Sequence, residues 1–206
     1  MLIVGIDLAG SEKRNTGICI LDEKLNASCL TLNTDKEIIE LIKKVEPKII
    51  AIDAPLSLPI GRKNLKKVGP HLRECDRVLL KLKIKFFPLS LGPMRKLTHR
   101  GIKLKKKFER LGFRVIEVYP GATQDILKIP RKQNGLENLK KGLINLGIRI
   151  NKENINADEL DAITAAYTAY LFLKNEAIEI GNRKEGTIVI PKIKSLQKIN
   201  SYDKRG

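Results

Sequence analysis

Three short runs dense in apolar and β-branched residues open the chain, and they predict strands over Leu2 to Leu8, Gly17 to Asp22 and Ala27 to Asn33. The connections from Gly10 to Thr16 and Glu23 to Asn26 are short and polar, which implies an antiparallel meander. The period then changes: Ile38, Ile39, Leu41, Ile42 and Val45 fall on one face of a helix over Asp35 to Val45, with Thr34 or Asp35 able to cap it. A fourth strand, Lys48 to Asp53, is stopped by Pro55. Because it follows a helix, a crossover that lays it parallel to the first strand is the natural reading.

The middle of the chain is helical and basic, broken by Pro88 and Pro93, and a fifth strand is predicted over Arg114 to Tyr119 before Pro120. Helices follow over Ala122 to Leu127, Leu136 to Leu146 and Ala157 to Asn175, and the stretch AIEIGNRKEGTIVIP predicts a hairpin turning between Gly181 and Gly186. This order implies an α/β fold: a mixed five-stranded sheet, a three-strand meander plus two parallel strands, flanked by helices and ending in a small hairpin. At 206 residues, one domain over 1–191 is expected, with a basic helical insertion at about 60–113 and a polar tail over 192–206.

Composition narrows the classes. No apolar run is long enough to span a bilayer, and MLIVGID lacks the basic start and small-residue cleavage site of a signal peptide, so a cytoplasmic protein is expected. Cys19, Cys29 and Cys75 form no C-x-x-C and predict free thiols. His71 and His99 are the only histidines and no G-x-S-x-G is present, which argues against serine-type catalysis. The net charge of +17 is concentrated: from Ile60 to Val115, 18 Lys or Arg stand against Glu74, Asp76 and Glu109, an excess of +15. Such a block suits a polyanion, because phosphate contacts release counterions without reading sequence. Solvated Lys-rich helix faces are the competing explanation. Aromatics are only 4%, so a platform stacking many bases is not evident.

The candidate chemistry lies in acids set where apolar residues belong: Asp7 in LIVGIDLAG, Asp53 in KIIAIDAP, Glu117 in RVIEVYP, and Asp158 with Asp161 in ADELDAITAA. A buried carboxylate must be paired, protonated or bound to a cation. If the crossover holds, Asp7 and Asp53 are neighbours on adjacent strands, while Asp158 and Asp161, three apart, share a helix face whose small side chains, Ala157, Thr164, Ala165 and Thr168, let it approach the sheet closely. Such a set can hold Mg2+ or Mn2+, hard cations that take oxygen ligands. Each acid also has a structural reading. Asp7 can cap the turn at Gly10 and Ser11, Asp53 can start the turn before Pro55, Glu117 can lie on an alternating edge strand, and Asp158 can be a first-turn helix acid. In HLRECDR, Arg73, Asp76 and Arg77 form an ion-pair or phosphate-clamp cluster, and with Arg62 they are the candidate substrate contacts.

The blocks GIDLAG, AIDAPLSLP, RECDR, VIEVYPGAT, ADELDAITAAYTA and EGTIVIP, in this order, resemble the predicted nucleases of the RNase H-like fold, a family related in outline to RuvC-type resolvases. The resemblance covers almost the whole chain. It implies that Asp7, Asp53 and Asp161 are the core acidic positions, with Asp158 the extra acid a helical turn earlier, and that the activity is metal-dependent hydrolysis of nucleic acid. Asp53 stands where the resolvases usually carry Glu. Glu117 and the Arg73, Cys75, Asp76 group belong to the family's own pattern, without a counterpart in the resolvases. Two other classes stay open: a non-catalytic nucleic-acid binder on a nuclease scaffold, and an ATP-dependent phosphotransferase of the actin-like type, whose fold opens with a hairpin near G-I-D-x-G, against GIDLAG here, and has two lobes.

Overall fold

The computed structural model describes residues 1–193; the residues from 194 on, within the expected polar tail, lie outside the described residues. Strands β1 (Leu2–Asp7), β2 (Thr16–Asp22) and β3 (Asn26–Leu32) form the antiparallel meander. Helix α1 (Asp35–Val45) is capped by Thr34, whose hydroxyl accepts from the Glu37 backbone N–H while the Glu37 carboxylate accepts from that of Thr34. The chain crosses over to β4 (Ile49–Asp53), parallel to β1, and β5 (Val115–Val118) lies parallel beyond it. The expected five-stranded core is therefore present in the order β3-β2-β1-β4-β5.

The sheet is wider than that core. The hairpin β7 (Ala177–Asn182) and β8 (Gly186–Pro191) joins it through Val118 and Val189, and the two-residue β6 (Arg149–Ile150) adds to β3, giving eight strands in the order β6-β3-β2-β1-β4-β5-β8-β7. Both additions rest on pairings between distant segments, which leave no local period in the sequence. Among the described residues no helix is long and apolar enough to cross a membrane, and the three cysteines are free.

Between β4 and β5 run α2 (Glu74–Lys81) and α3 (Met94–Arg110), joined by non-helical chain that includes Pro88 and Pro93. After β5 come α4 (Pro120–Leu127), which starts with Pro at its first position, α5 (Leu136–Asn145) and α6 (Ala157–Leu173). The two faces of the sheet are sorted by strand alternation. Ile3, Cys19, Ile49, Ala51, Ile116 and Val118 pack with α6. Val4, Ile6, Ile18, Ile50 and Ile52 pack with Ile38 and Ile42 of α1 and Leu104 and Phe108 of α3.

Helix α6 is apolar nearly all round, as a helix buried on most sides must be. It lies directly on the sheet because β1 and β2 carry glycine beneath it: a Cβ on Gly5 would sit 2.1 Å from the Ala162 carbonyl oxygen, and one on Gly17 2.1 Å from that of Asp158. The close stripe is thus Asp158, Ala162 and Ala166, whereas Thr164 and Thr168, expected on the sheet side, turn toward Gln124 and Thr123 of α4. On the other face Arg100 of α3 forks to the Asp35 carboxylate (2.7 Å) and to the carbonyls of Ala9 (2.8 Å) and Asn33 (2.7 Å). That buried fork pins the turn that follows Asp7, so Arg100 is spent inside the fold and not on its basic surface.

Candidate functional site

In the parallel ladder Asp7 of β1 is the register partner of Asp53 of β4. Counting by twos from Ile3 and Ile49 puts both acids on the α6 face, at the carboxyl ends of their strands. Over them, the glycine contacts fix the first turns of α6, which carry Asp158 and Asp161. Two side chains orient Asp161: the Gln124 amide donates to its Oδ1 (2.9 Å) and the Lys132 ammonium meets its Oδ2 (2.6 Å). Asp161 and Asp158 thus lie within electrostatic reach of Asp7, and Asp161 within reach of Asp53, while the acid that closes the helix end is neither Asp158 nor Asp161. It is Glu159, fully buried in a reciprocal cap with Asn156 and paired with Lys152 at 2.6 Å.

The electrostatic consequence is read at Asp7, whose pKa is raised from 3.8 to about 7 by burial first and then by the nearby negative charge of Asp161, with Lys132 partly offsetting them and Asp158 adding to the rise. Asp53 is pushed well above the carboxylate range by burial, then by Asp7 and Asp161. Burial opposes it, yet Asp161, Asp7 and Asp158 hold the Lys132 ammonium above its ordinary value. Lys132 sits in a 3-10 turn, Lys132–Asn134, that follows Arg131, and Arg131 is locked by a two-pronged bond to Asp125 at 2.7 and 2.6 Å and lies over the Tyr119 ring. Sequence reading missed both Lys132 and Gln124; in K-I-P-R-K-Q-N the lysine looks like any basic loop residue.

The donor set suits a hard divalent cation in kind: four carboxylates, no thiolate and no imidazole. Its geometry is not yet a ligand cage, since among the described residues no three acidic, His or Cys side chains are grouped closely enough to hold an ion. The positive charge in the cluster is supplied by Lys132. An ion bound by Asp7, Asp53, Asp158 and Asp161 would exchange with that ammonium at Asp161.

Glu117 goes elsewhere. It pairs in register with Ile52, on the α1/α3 face, and so points away from Asp7. Its Oε2 accepts from the Leu56 backbone N–H (2.7 Å) and from Arg73 (2.7 Å), and its Oε1 from Arg73 (2.6 Å). Arg73, only 1% exposed, also bonds both Asp76 oxygens (3.1 and 2.9 Å) and the Ser57 hydroxyl (3.0 Å). All five guanidinium N–H groups are used within the fold, and a phosphate contact by Arg73 would have to break one. Arg62 is likewise turned inward, onto the carbonyls of Asn64, Lys67, Gly69 and Pro70. Arg77 is half exposed and, among the described residues, its guanidinium pairs with Glu74 at 3.5 Å.

Two hollows flank the aspartates. A wide basin of about 890 Å³ opens from Asp7 and Asp158, with Lys13, Arg14, Lys96 and Lys132 on its walls. Two of these cations come from the β1–β2 turn and not from the basic block of the sequence. A narrower cavity of about 320 Å³ runs from Asp53 toward Glu117, walled mainly by apolar and aromatic side chains. Met94, Leu97 and Lys132 border both.

No family model matches the sequence, and no curated protein matches it. Among solved structures the chain is similar to RuvC of Thermus thermophilus, with a TM-score of 0.48, 12% identity and coverage of 85% of this chain and 97% of that one. It is similar as well to T. thermophilus RuvC in complex with a Holliday junction substrate, with a TM-score of 0.48, 10% identity and coverage of 85% and 96%.

Proposed function

We propose that this protein is a divalent-metal-dependent nuclease whose acidic centre is Asp7, Asp53, Asp158 and Asp161. The observation that carries the reading is the register match of Asp7 with Asp53 beneath Asp161, an arrangement that leaves Asp7 with a pKa near 7. Lys132 only partly offsets the charge of these acids, and carboxylates perturbed in this way in a cleft are the pattern expected of a functional site. Asp7, Asp53, Asp158 and Asp161 would hold Mg2+ or Mn2+, which would supply Lewis-acid polarisation of the phosphodiester and of a water near neutral pH, without a histidine base. The chain's own part is to seat the phosphodiester: Lys13, Arg14 and Lys96 line the basin where the backbone of a strand would run. Gln124 holds Asp161 in its orientation, and Lys132 partly offsets the charge of the carboxylates.

The test is a cleavage screen over single-stranded, duplex, hybrid and junction substrates with Mg2+ and with Mn2+, beside Asp7→Asn and Asp161→Asn. Loss of about 1,000-fold or more in either variant, roughly 4 kcal/mol of barrier, is expected. Equal activity in Asp7→Asn, together with no effect of either ion on wild-type melting, sinks the reading. A second reading, a non-catalytic nucleic-acid binder, draws on the Lys132 to Asp161 contact, which fills the cluster with a protein cation. It expects binding that survives chelation and replacement of the aspartates, with no substrate cut. No observation favours the phosphotransfer reading, which needs two lobes; the described residues build one sheet.

A further inference from the structure

The cavity beside Asp53 has features that the acidic centre does not use. It is lined by Phe86, Phe87, Leu89, Leu97 and Tyr119, in a chain where only 4% of residues are aromatic. Its wall is held in place: the Tyr119 hydroxyl donates to the Lys85 carbonyl (2.6 Å), and the Thr98 hydroxyl to the Leu89 carbonyl (2.9 Å). His71 and the Ser90 hydroxyl share a further bond. Its polar end is Arg73, whose guanidinium is bonded to Glu117 and Asp76. Phe87 is 79% exposed, a cost in hydrophobic surface that a ligand could remove. At about 320 Å³ the space lies at the lower end of ligand pockets, room for one flat heterocycle and not for a stacked pair.

Position makes the occupant specific. The cavity and the cationic basin meet along Met94, Leu97 and Lys132, with Asp53 at the mouth of one and Asp7 in the other. A strand whose phosphates follow the basin past the aspartates has its adjoining base within reach of the aromatic walls.

We propose that this cavity receives one unstacked nucleobase next to the phosphate held at the acidic centre, so that the substrate is a nucleic acid with an unpaired nucleotide at that point. The inference rests on the nuclease reading for the phosphate's place. An apolar pocket can recognise any base through its face, and it discriminates by the cost of extraction, which is least for a nucleotide that has no partner. Phe87 covers the outer face of the base, Leu97 borders it where the cavity meets the basin, and Tyr119 supplies a further aromatic wall.

Binding of the full chain to two otherwise identical duplexes separates the possibilities: one fully paired, one with a single bulged 2-aminopurine, both in Ca2+ to hold the phosphate without cleavage. The bulged duplex is expected to bind about 10-fold tighter or better, with a change in 2-aminopurine fluorescence that the paired duplex does not give. Phe87→Ala, at an exposed position that leaves folding intact, is expected to weaken the bulged complex by about 5- to 100-fold and the paired one less than about 2-fold. Phe87→Trp restores the preference. Equal affinity for both duplexes, or an equal loss on both in Phe87→Ala, overturns the base pocket and leaves the nuclease reading standing. Failure to bind or cut any nucleic acid overturns both.

Discussion

Asp53 and Glu117 stand near the carboxyl ends of adjacent parallel strands, yet they meet opposite environments. Glu117 is offset by one residue, opposite Ile52, and strand alternation therefore delivers it to the other face of the sheet. There it finds Arg73, and the Arg73, Glu117, Asp76 unit closes with every guanidinium N–H bonded. Asp53 shares its face with Asp7, and Lys132, the cation whose charge reaches them, is bonded to Asp161. One set of acids is matched by the fold; the other is held apart from its match. Burial alone does not tell a structural carboxylate from a reactive one. What separates them is whether the charge is answered from within the chain.

The largest expected effect tests the matched side. Removing one partner from a buried ion network leaves the others as uncompensated charges, so Arg73→Met is expected to cost about 3 to 5 kcal/mol in urea unfolding. Glu117→Gln in the same background should cost less than it does alone, because the charge it removes is already orphaned. At the same site Glu117→Gln, assayed on folded protein, is expected to keep most nuclease activity. A fall in kcat as deep as that of Asp7→Asn, with unfolding unchanged, would put Glu117 back among the reacting groups and erase the division.

The sequence made one side of this contrast far more legible than the other. Asp7 and Asp53 were placed side by side by topology alone, because a meander, a helix and a crossover leave few arrangements, and the register then follows from two apolar strands of fixed alternation. Helix α1 showed its period and its Thr34 cap, and the hairpin showed its turn. Glu117 has the same look as Asp53, an acid in an apolar run, and nothing local reveals which face it takes or that Arg73, 44 positions away, is its partner. Lys132 and Arg100 were hidden for the same reason. Each acts through one long-range contact, and in a chain with 40 Lys and Arg no composition signal marks a cation that points inward.

A second consequence concerns pH. Asp7 is ordinary at 3.8 when unfolded and near 7 when folded, so the native state holds its proton more tightly. Stability from this group is therefore complete below about pH 4 and is lost as pH rises through 7. With a chelator present, wild type is expected to lose about 2 to 4 kcal/mol more than Asp7→Asn between pH 4 and pH 8, measured as the difference of their urea profiles. Mn2+ should reverse the loss, and most strongly at high pH, where it binds the ionised form. Parallel profiles for the two proteins would mean that the Asp7 charge is already answered, as that of Glu117 is.

The smallest effect probes Lys132, which borders both hollows. Lys132 reaches Asp161 at 2.6 Å, but its side chain is 36% exposed, so the pair is screened and contributes about 1 kcal/mol. Because the ammonium and a divalent ion compete for the same oxygen, Lys132→Met is expected to lower stability in chelator by about that amount and to tighten Mn2+ binding by about 5-fold in calorimetry. The signs matter more than the sizes: apo stability falls while ion affinity rises, a combination that loss of a structural ion pair alone does not give. Weaker Mn2+ binding in Lys132→Met would instead make the lysine part of the ion's support, and the aspartate cluster would then resemble the closed Arg73 unit in being completed from within.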